Sequence, residues 1–281
     1  MDFTIEKYKE LLEALKKHKH FSLRHDVDLW PEFSLRVAQV EAEMGLQATY
    51  YFRTVPESYD EDIIKEIVAL GHRAGYHYEC LTTCKGNMEA AYEDFCQNLE
   101  KLRKVVPVTT ACAHGSPRSK WDSQSLWKSQ SHKVTKSQSN KVEEPLCHSA
   151  TLPLCHSVHD IHALGIDYEP MLDTDFSKTL YLTDTGRRWD GYKVSVRDKV
   201  PQYQKQWETE SLVFHSTDNI IHAINNMQHP IHQKELLINT HPQRWMPFGI
   251  GWMKESVLQN TKNIVKRVII STKTKKTKKM N

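Results

Sequence analysis

No uninterrupted apolar run in this 281-residue chain approaches the roughly 18 residues that a membrane-spanning helix requires. The first ten residues, Met1 to Glu10, hold no apolar signal-peptide core. The expectation is a cytoplasmic protein with no membrane span. Cysteine is scarce, and none of the six residues (Cys80, Cys84, Cys96, Cys112, Cys147, Cys155) forms a C-x-x-C pair. Without an export signal, free thiols are expected. A strong excess of one charge is also missing, since 38 Lys and Arg face 35 Asp and Glu. Five of the lysines crowd into Lys273–Lys279, and without them 33 basic residues stand against 35 acidic ones. Nucleic-acid binding by the body of the chain is therefore not expected, and the tail 271–281 reads as a solvated, disordered end.

What is present is a repeated pattern. Five apolar runs end in His, Asp or Glu: Phe21 to Asp28, Ala74 to Glu79, Thr109 to His114, Leu180 to Asp184 and Leu236 to His241. Helical periodicity separates the first of them. It predicts helices over 4–17, from Pro31 to Met44, from Tyr59 to Leu70 with Asp60 as cap, and from Asn87 to about Val105. Gln47–Arg53 reads as a further strand. Later, helices are expected over 216–226 and from Trp252 to about Ile270. Strand–helix alternation predicts βα units with parallel strands, curled into a barrel or a doubly wound sheet. The polar ends of the strands would then meet at one carboxyl rim, where such folds place their chemistry. Between them, 129–158 carries two pairs of near-identical octads, Lys128-Ser-Gln-Ser echoed at Lys136 and Pro145-Leu-Cys-His-Ser echoed at Pro153. This segment is expected to be a disordered loop insertion in a single domain spanning 1–270.

The rim residues define a candidate site. Asp26 and Asp28, two apart on an extended segment, face one side, and His25 faces the other, toward the outer helices. One carboxylate of such a pair suits a divalent cation and the other an attacking water's proton, while Asp28 would equally serve as a cap for the next helix. His77 and Glu79 repeat this spacing. His114 precedes Gly115-Ser116-Pro117, a turn whose amides could face an oxyanion. Cys80 and Cys84 lie nearby, leaving a thiolate ligand open. Asp184, Arg187 and Trp189 place an acid, a cation and an indole together, and His241, Arg244 and Trp245 do so again. Tryptophan faces stack on sugar rings, arginine forks carboxylates, and a histidine fixed by the following proline can act as general acid beside an orienting arginine.

These segments resemble the polysaccharide deacetylase family (NodB homology, carbohydrate esterase family 4) over about 20–127 and 159–270. Arg24-His25-Asp26-Val27-Asp28 stands where the family has Thr-Phe-Asp-Asp-Gly. Gly71-His72-Arg73-Ala74-Gly75-Tyr76-His77 is similar to the lead into its metal histidine, and Leu237-Ile-Asn-Thr-His241 to its late Leu-x-His segment. The departures are a second aspartate displaced by one residue, Leu81 in place of the second metal histidine, and His114-Gly-Ser-Pro117 in place of an Arg-x-Pro-x-x-Gly segment. The resemblance implies a distorted (β/α) barrel and removal of an N-acetyl or related acyl group from a sugar of a surface polysaccharide or its precursor. It implies a divalent metal, Zn²⁺ by its ligand types, on Asp28 and His77, with His114 or Glu79 completing the set. Asp26 would be the base and His241 the acid, with Arg244 beside it. Glu79, Asp184, Arg187, Trp189 and Trp245 would contact the carbohydrate. The alternative is a non-catalytic, carbohydrate-binding descendant whose metal triad is broken.

Overall fold

The computed structural model describes residues 1–116, 119–127, 159–191, 195 and 197–264. The octad repeats of 129–158 and the tail 271–281 lie outside them.

The molecule is α/β. Six strands, β1 (Phe21–Val27), β2 (Ala48–Phe52), β3 (Arg73–Tyr78), β4 (Ala111–Ala113), β5 (Thr179–Thr183) and β6 (Glu235–Thr240), form one curled, all-parallel sheet in the order β4-β3-β2-β1-β6-β5. Among the described residues β4 and β5 are its edges, and a single bridge joins Thr110 to Tyr168 beyond β4. Among the described residues nine α-helices accompany the sheet: α1 (Ile5–Leu15), α2 (Pro31–Glu43), α3 (Glu61–Ala69), α4 (Cys80–Thr83), α5 (Met88–Arg103), α6 (Pro170–Asp173), α7 (Pro201–Thr209), α8 (Thr217–Asn225) and α9 (250–264).

Period-two alternation separates two chemistries across the sheet. On one side Leu23, His25 and Val27 of β1 face helices. The carboxylate of Glu41, on α2, is wholly buried there and accepts hydrogen bonds from Tyr8 (2.5 Å), Tyr50 (2.6 Å) and His25 Nε2 (2.8 Å). That one acid joins α1, α2, β1 and β2, and its full set of partners is what makes its burial tolerable. Tyr76 and Tyr78 of β3 pack on Phe95 of α5, whose Ala91, Phe95, Leu99 and Leu102 form the buried face of that helix. Asn87 caps α5 by accepting from Ala90 N–H, a contact of about 1 kcal/mol.

The other side of the sheet is polar. Arg24 lies over the Tyr51 ring, Tyr51 bonds Thr110, and Asn239 donates to both Asp26 and Tyr181 at 3.0 Å. Gly75 of β3 makes room for Tyr51, because a Cβ at Gly75 would stand 2.6 Å from that ring. Strand order reverses between β1 and β6, so the crevice above their carboxyl ends lies at a topological switch point.

Most expected elements appear with ends shifted by a few residues. The helix expected from Tyr59 starts at Glu61, because Asp60 caps it with bonds to the amides of Asp62 and Ile63. α4, α6 and α7 were not anticipated. α4 is a single turn that directly follows β3, too short for periodicity to mark it.

Candidate metal centre and cleft

Asp28 follows the last residue of β1, His77 sits in β3, and His114 follows β4, so three strand ends converge on one point. A ligand atom from each lies within 4.8 Å of the other two. Asp28 Oδ1 is 3.6 Å from His77 Nε2 and 3.4 Å from His114 Nε2. Asp28 Oδ1 is also buried without a hydrogen-bond partner among the described residues. Burial alone would push the Asp28 carboxyl up, but His77, His114 and His241 around it hold it well below the usual carboxylate range. Asp28 does not cap α2. Trp30 occupies that position in a left-handed conformation (φ 55°) with no side-chain cap.

The far nitrogen of each histidine is engaged. His77 Nδ1 lies 3.0 Å from the Cys112 carbonyl, which only a protonated nitrogen can satisfy, so in the neutral ring Nε2 is the nitrogen with the lone pair and it is the one that faces Asp28. His114 Nδ1 lies 3.0 Å from Glu79 Oε2 and 3.1 Å from Ser116 Oγ. Glu79 in turn accepts from Arg53 Nε (2.9 Å), and Arg53 Nη1 donates to the Asp28 carbonyl at 3.2 Å. Burial opposes ionisation of Glu79, yet His114 and Arg53 bring its pKa down to about 2. Carboxylate or carbonyl partners on the outer nitrogens are how metal-binding imidazoles are held in orientation. With metal–ligand bonds of about 2.0–2.2 Å, tetrahedral donors stand roughly 3.3–3.6 Å apart. The spacings here are close to that, and an orphaned carboxylate oxygen facing two imidazole lone pairs fits a divalent cation.

Asp26 is placed differently. Its carboxylate takes a two-pronged salt bridge from Arg24, Nε to Oδ1 at 2.9 Å and Nη2 to Oδ2 at 2.8 Å, plus the Asn239 bond. His77 Nε2 is 3.8 Å from its Oδ2. Burial is outweighed by Arg24, His77 and His241, so Asp26 stays ionised far into acid. A second donor group combines Asp26, His77 and Cys112. Burial pushes the Cys112 thiol well up, and Arg24 already holds Asp26, so this group is less fit for a cation than the first. Neither Cys80 nor Cys84 belongs to a donor group among the described residues, and burial raises the Cys80 thiol to about 12.

Across the cleft, His241 follows β6 with Nδ1 2.7 Å from Asp184 Oδ1 and Nε2 3.8 Å from Asp28 Oδ2. Asp184 is completely buried and fully engaged. It accepts from the His241 amide (3.0 Å), from Arg244 Nη1 (2.6 Å) and from Trp245 Nε1 (2.8 Å). Burial and the nearby Arg244 push the His241 imidazole down, but Asp184 and Asp28 prevail and its pKa is raised. Asp184 itself is lowered, since Arg244 and His241 overcome its burial.

A cleft of about 1340 Å³ opens over these groups, with Asp26, Asp28, His77, Glu79, His114, His241 and Arg244 in its wall. The expected carbohydrate contacts divide. Glu79 lines the cleft. Asp184, Arg187, Trp189 and Trp245 do not. Trp245 is 1% exposed and packs on Tyr8 and Phe3, and Trp189 packs against Phe3 and Trp245. Arg187 lies over the rings of Phe3 and Trp252. These four stand behind the site: Thr185, His241, Gln243 and Arg244 of the same loops line the cleft, while the Trp189 and Trp245 rings pack on Phe3 and Asp184 is bonded to His241, Arg244 and Trp245. The aromatic rings that do line it are Trp30, 46% exposed, and Trp121. Sequence reasoning also missed Arg24 and Asn239. Arg24 carried a signal, since it is two residues before Asp26 and must share its side of the strand. Asn239, 213 residues from Asp26, carried none.

Comparison of the chain with protein-family models, curated proteins and solved structures gave no match.

Proposed function

We propose that the protein is a divalent-metal-dependent hydrolase that removes an N-acetyl or related acyl group from an amino sugar, built on the NodB-type barrel that its sequence resembles. The observation that carries this reading is the unpartnered Asp28 Oδ1 between the Nε2 atoms of His77 and His114, each imidazole held from behind.

The bound ion, Zn²⁺ by the donor types, would supply Lewis acidity toward an amide carbonyl and a more acidic water. The chain's own residues do the rest. Asp26, kept ionised and aimed by Arg24 and Asn239, receives a proton from water as the water oxygen bonds to the acyl carbon. The C–N bond then breaks, and the Nε2 proton of His241 passes to the departing amine. Asp184 serves this step by holding Nδ1, which fixes the ring and favours its protonated form. Trp30 and Trp121 offer apolar ring faces at the cleft wall, in keeping with a sugar.

Elemental analysis of the purified chain, together with acetate release from N-acetylated chito-oligosaccharides, tests the proposal. One equivalent of a divalent ion is expected, with acetate release that falls about a hundredfold or more in Asp28→Asn and His77→Ala. Metal-free protein that binds the saccharide without releasing acetate would instead favour the carbohydrate-binding descendant.

A further inference from the structure

The helix α9 buries polar residues and exposes apolar ones. Gln259 and Asn263 are 5% and 4% exposed, and Asn263 donates to the Gly186 carbonyl at 2.8 Å. Trp252 is on the same side, with its indole N–H 3.1 Å from the Phe3 carbonyl and its ring under Arg187. Ile250, Met253, Val257 and Ile264 are 74%, 54%, 68% and 63% exposed. At about 100° per residue these four fall within roughly 60° of arc, opposite Gln259 and Asn263. Phe248, just before the helix, is exposed as well. Single exposed apolar residues are ordinary, but an aligned row on one helix face marks an interaction surface.

Charge identifies the partner. From 250 to 281 the sequence has nine Lys and Arg and one acid, Glu255, while the rest of the chain has 29 basic and 34 acidic residues. Two of these cations, Lys254 and Lys262, are on α9 with Glu255, and the other seven follow it in the sequence at 265–281, outside the described residues. Net positive charge of this kind favours an anionic surface over a second, equally cationic copy. No described helix is long and apolar enough to cross a membrane.

We propose that the outward face of α9 docks in the plane of an anionic lipid bilayer. Ile250, Met253, Val257 and Ile264 enter the boundary between headgroups and acyl chains, and the net positive charge of the sequence from 250 onward is drawn to the lipid charge. α9 also walls the cleft through Glu255, Leu258 and Lys262, on the side of the helix away from the apolar row. This inference does not depend on the hydrolase reading.

The test is sedimentation of the full chain with vesicles of phosphatidylcholine alone or mixed with phosphatidylserine. Expected are binding to the mixed vesicles, binding at least about tenfold weaker to phosphatidylcholine alone, and loss at high salt. The doubly substituted Met253→Glu/Val257→Glu chain should bind mixed vesicles about tenfold more weakly or worse. Met253→Ser/Val257→Ser, which adds no negative charge, should lose severalfold. Both positions are exposed, and an unchanged circular dichroism spectrum keeps the comparison valid. Absence of binding to mixed vesicles, or equal binding by wild type and both variants, overturns the proposal. A wild-type dimer in solution that the same substitutions dissociate also overturns it, because a second copy would then own the face.

Discussion

Two clusters face each other across the cleft and are built on opposite plans. In the Asp28, His77 and His114 group, the inner atoms point at one another across 3.4–3.6 Å and their hydrogen bonds are made on the outer side. In the Asp184, His241, Arg244 and Trp245 group, the inner atoms are themselves bonded, and Asp184 has no capacity to spare. Both are buried collections of ionisable side chains. The first leaves donor atoms uncommitted and so depends on something from outside. The second is complete and fixes the state of one imidazole. Residue composition alone would not distinguish them, whereas the pattern of satisfied and unsatisfied atoms does.

The contrast can be broken experimentally. Asp28→Asn together with His77→Ala should abolish stoichiometric metal binding and reduce acyl release by about a hundredfold or more, while thermal stability of the metal-free protein changes little. Retained metal would show that the first cluster is not the ligand set. Asp184→Ala should do the reverse. Leaving Arg244 and His241 buried without their acid is expected to cost about 3–5 kcal/mol in denaturant titrations, with metal content preserved at permissive temperature. A stability loss below about 1 kcal/mol would count against the closed plan of that cluster.

Smaller effects sharpen the comparison. Gly75→Ala, which pushes a methyl group against the Tyr51 ring under Arg24, should destabilise by about 1–3 kcal/mol, measured as a shift in urea midpoint. The pH dependence of stability should reflect the closed cluster. His241 is held above its ordinary value, so its contribution is complete below about pH 6.5 and is lost as pH rises through its raised folded value. Asp184 is held below its own, so its contribution is complete above about pH 3.9 and is lost as pH falls through its folded value. Melting temperatures of metal-free protein should therefore decline on the alkaline side in wild type, and this decline should be missing in His241→Gln. An identical decline in both would assign it to another group.

Local alternation made much of this site legible. Residues 24–28 alternate sides, so Asp26 and Asp28 could be paired and His25 sent to the helices, where it meets Glu41. Strand ends also gave His77, His114 and His241 without knowledge of which strands are neighbours. What local pattern cannot supply is the identity of the contacts. Trp189 and Trp245 look like a stacking platform beside polar residues, but their rings fill the space between α1 and the late loops. Trp30, at the N-cap of α2 in a left-handed conformation, has its ring in the cleft wall, and nothing in its local sequence pattern marks that. The Asp26–Asn239 contact depends on β6 lying beside β1, a choice made by sheet order and not by either residue's surroundings. α7 was missed although Pro201 occupies its first turn, because its nine residues bury only Trp207 and so carry almost no apolar period.

The placement of β6 against β1 has a consequence for how the chain is made. β1 leaves the ribosome early, yet one of its two ladder partners is encoded more than two hundred residues later. Until Thr240 has emerged, the nascent sheet holds β1 with one edge open, and the crevice lacks the wall that carries His241. Pairing across so long an interval is slow and leaves that edge available to other chains in the meantime. Among the described residues the last strand to be synthesised is thus the one that completes both the sheet and the cleft.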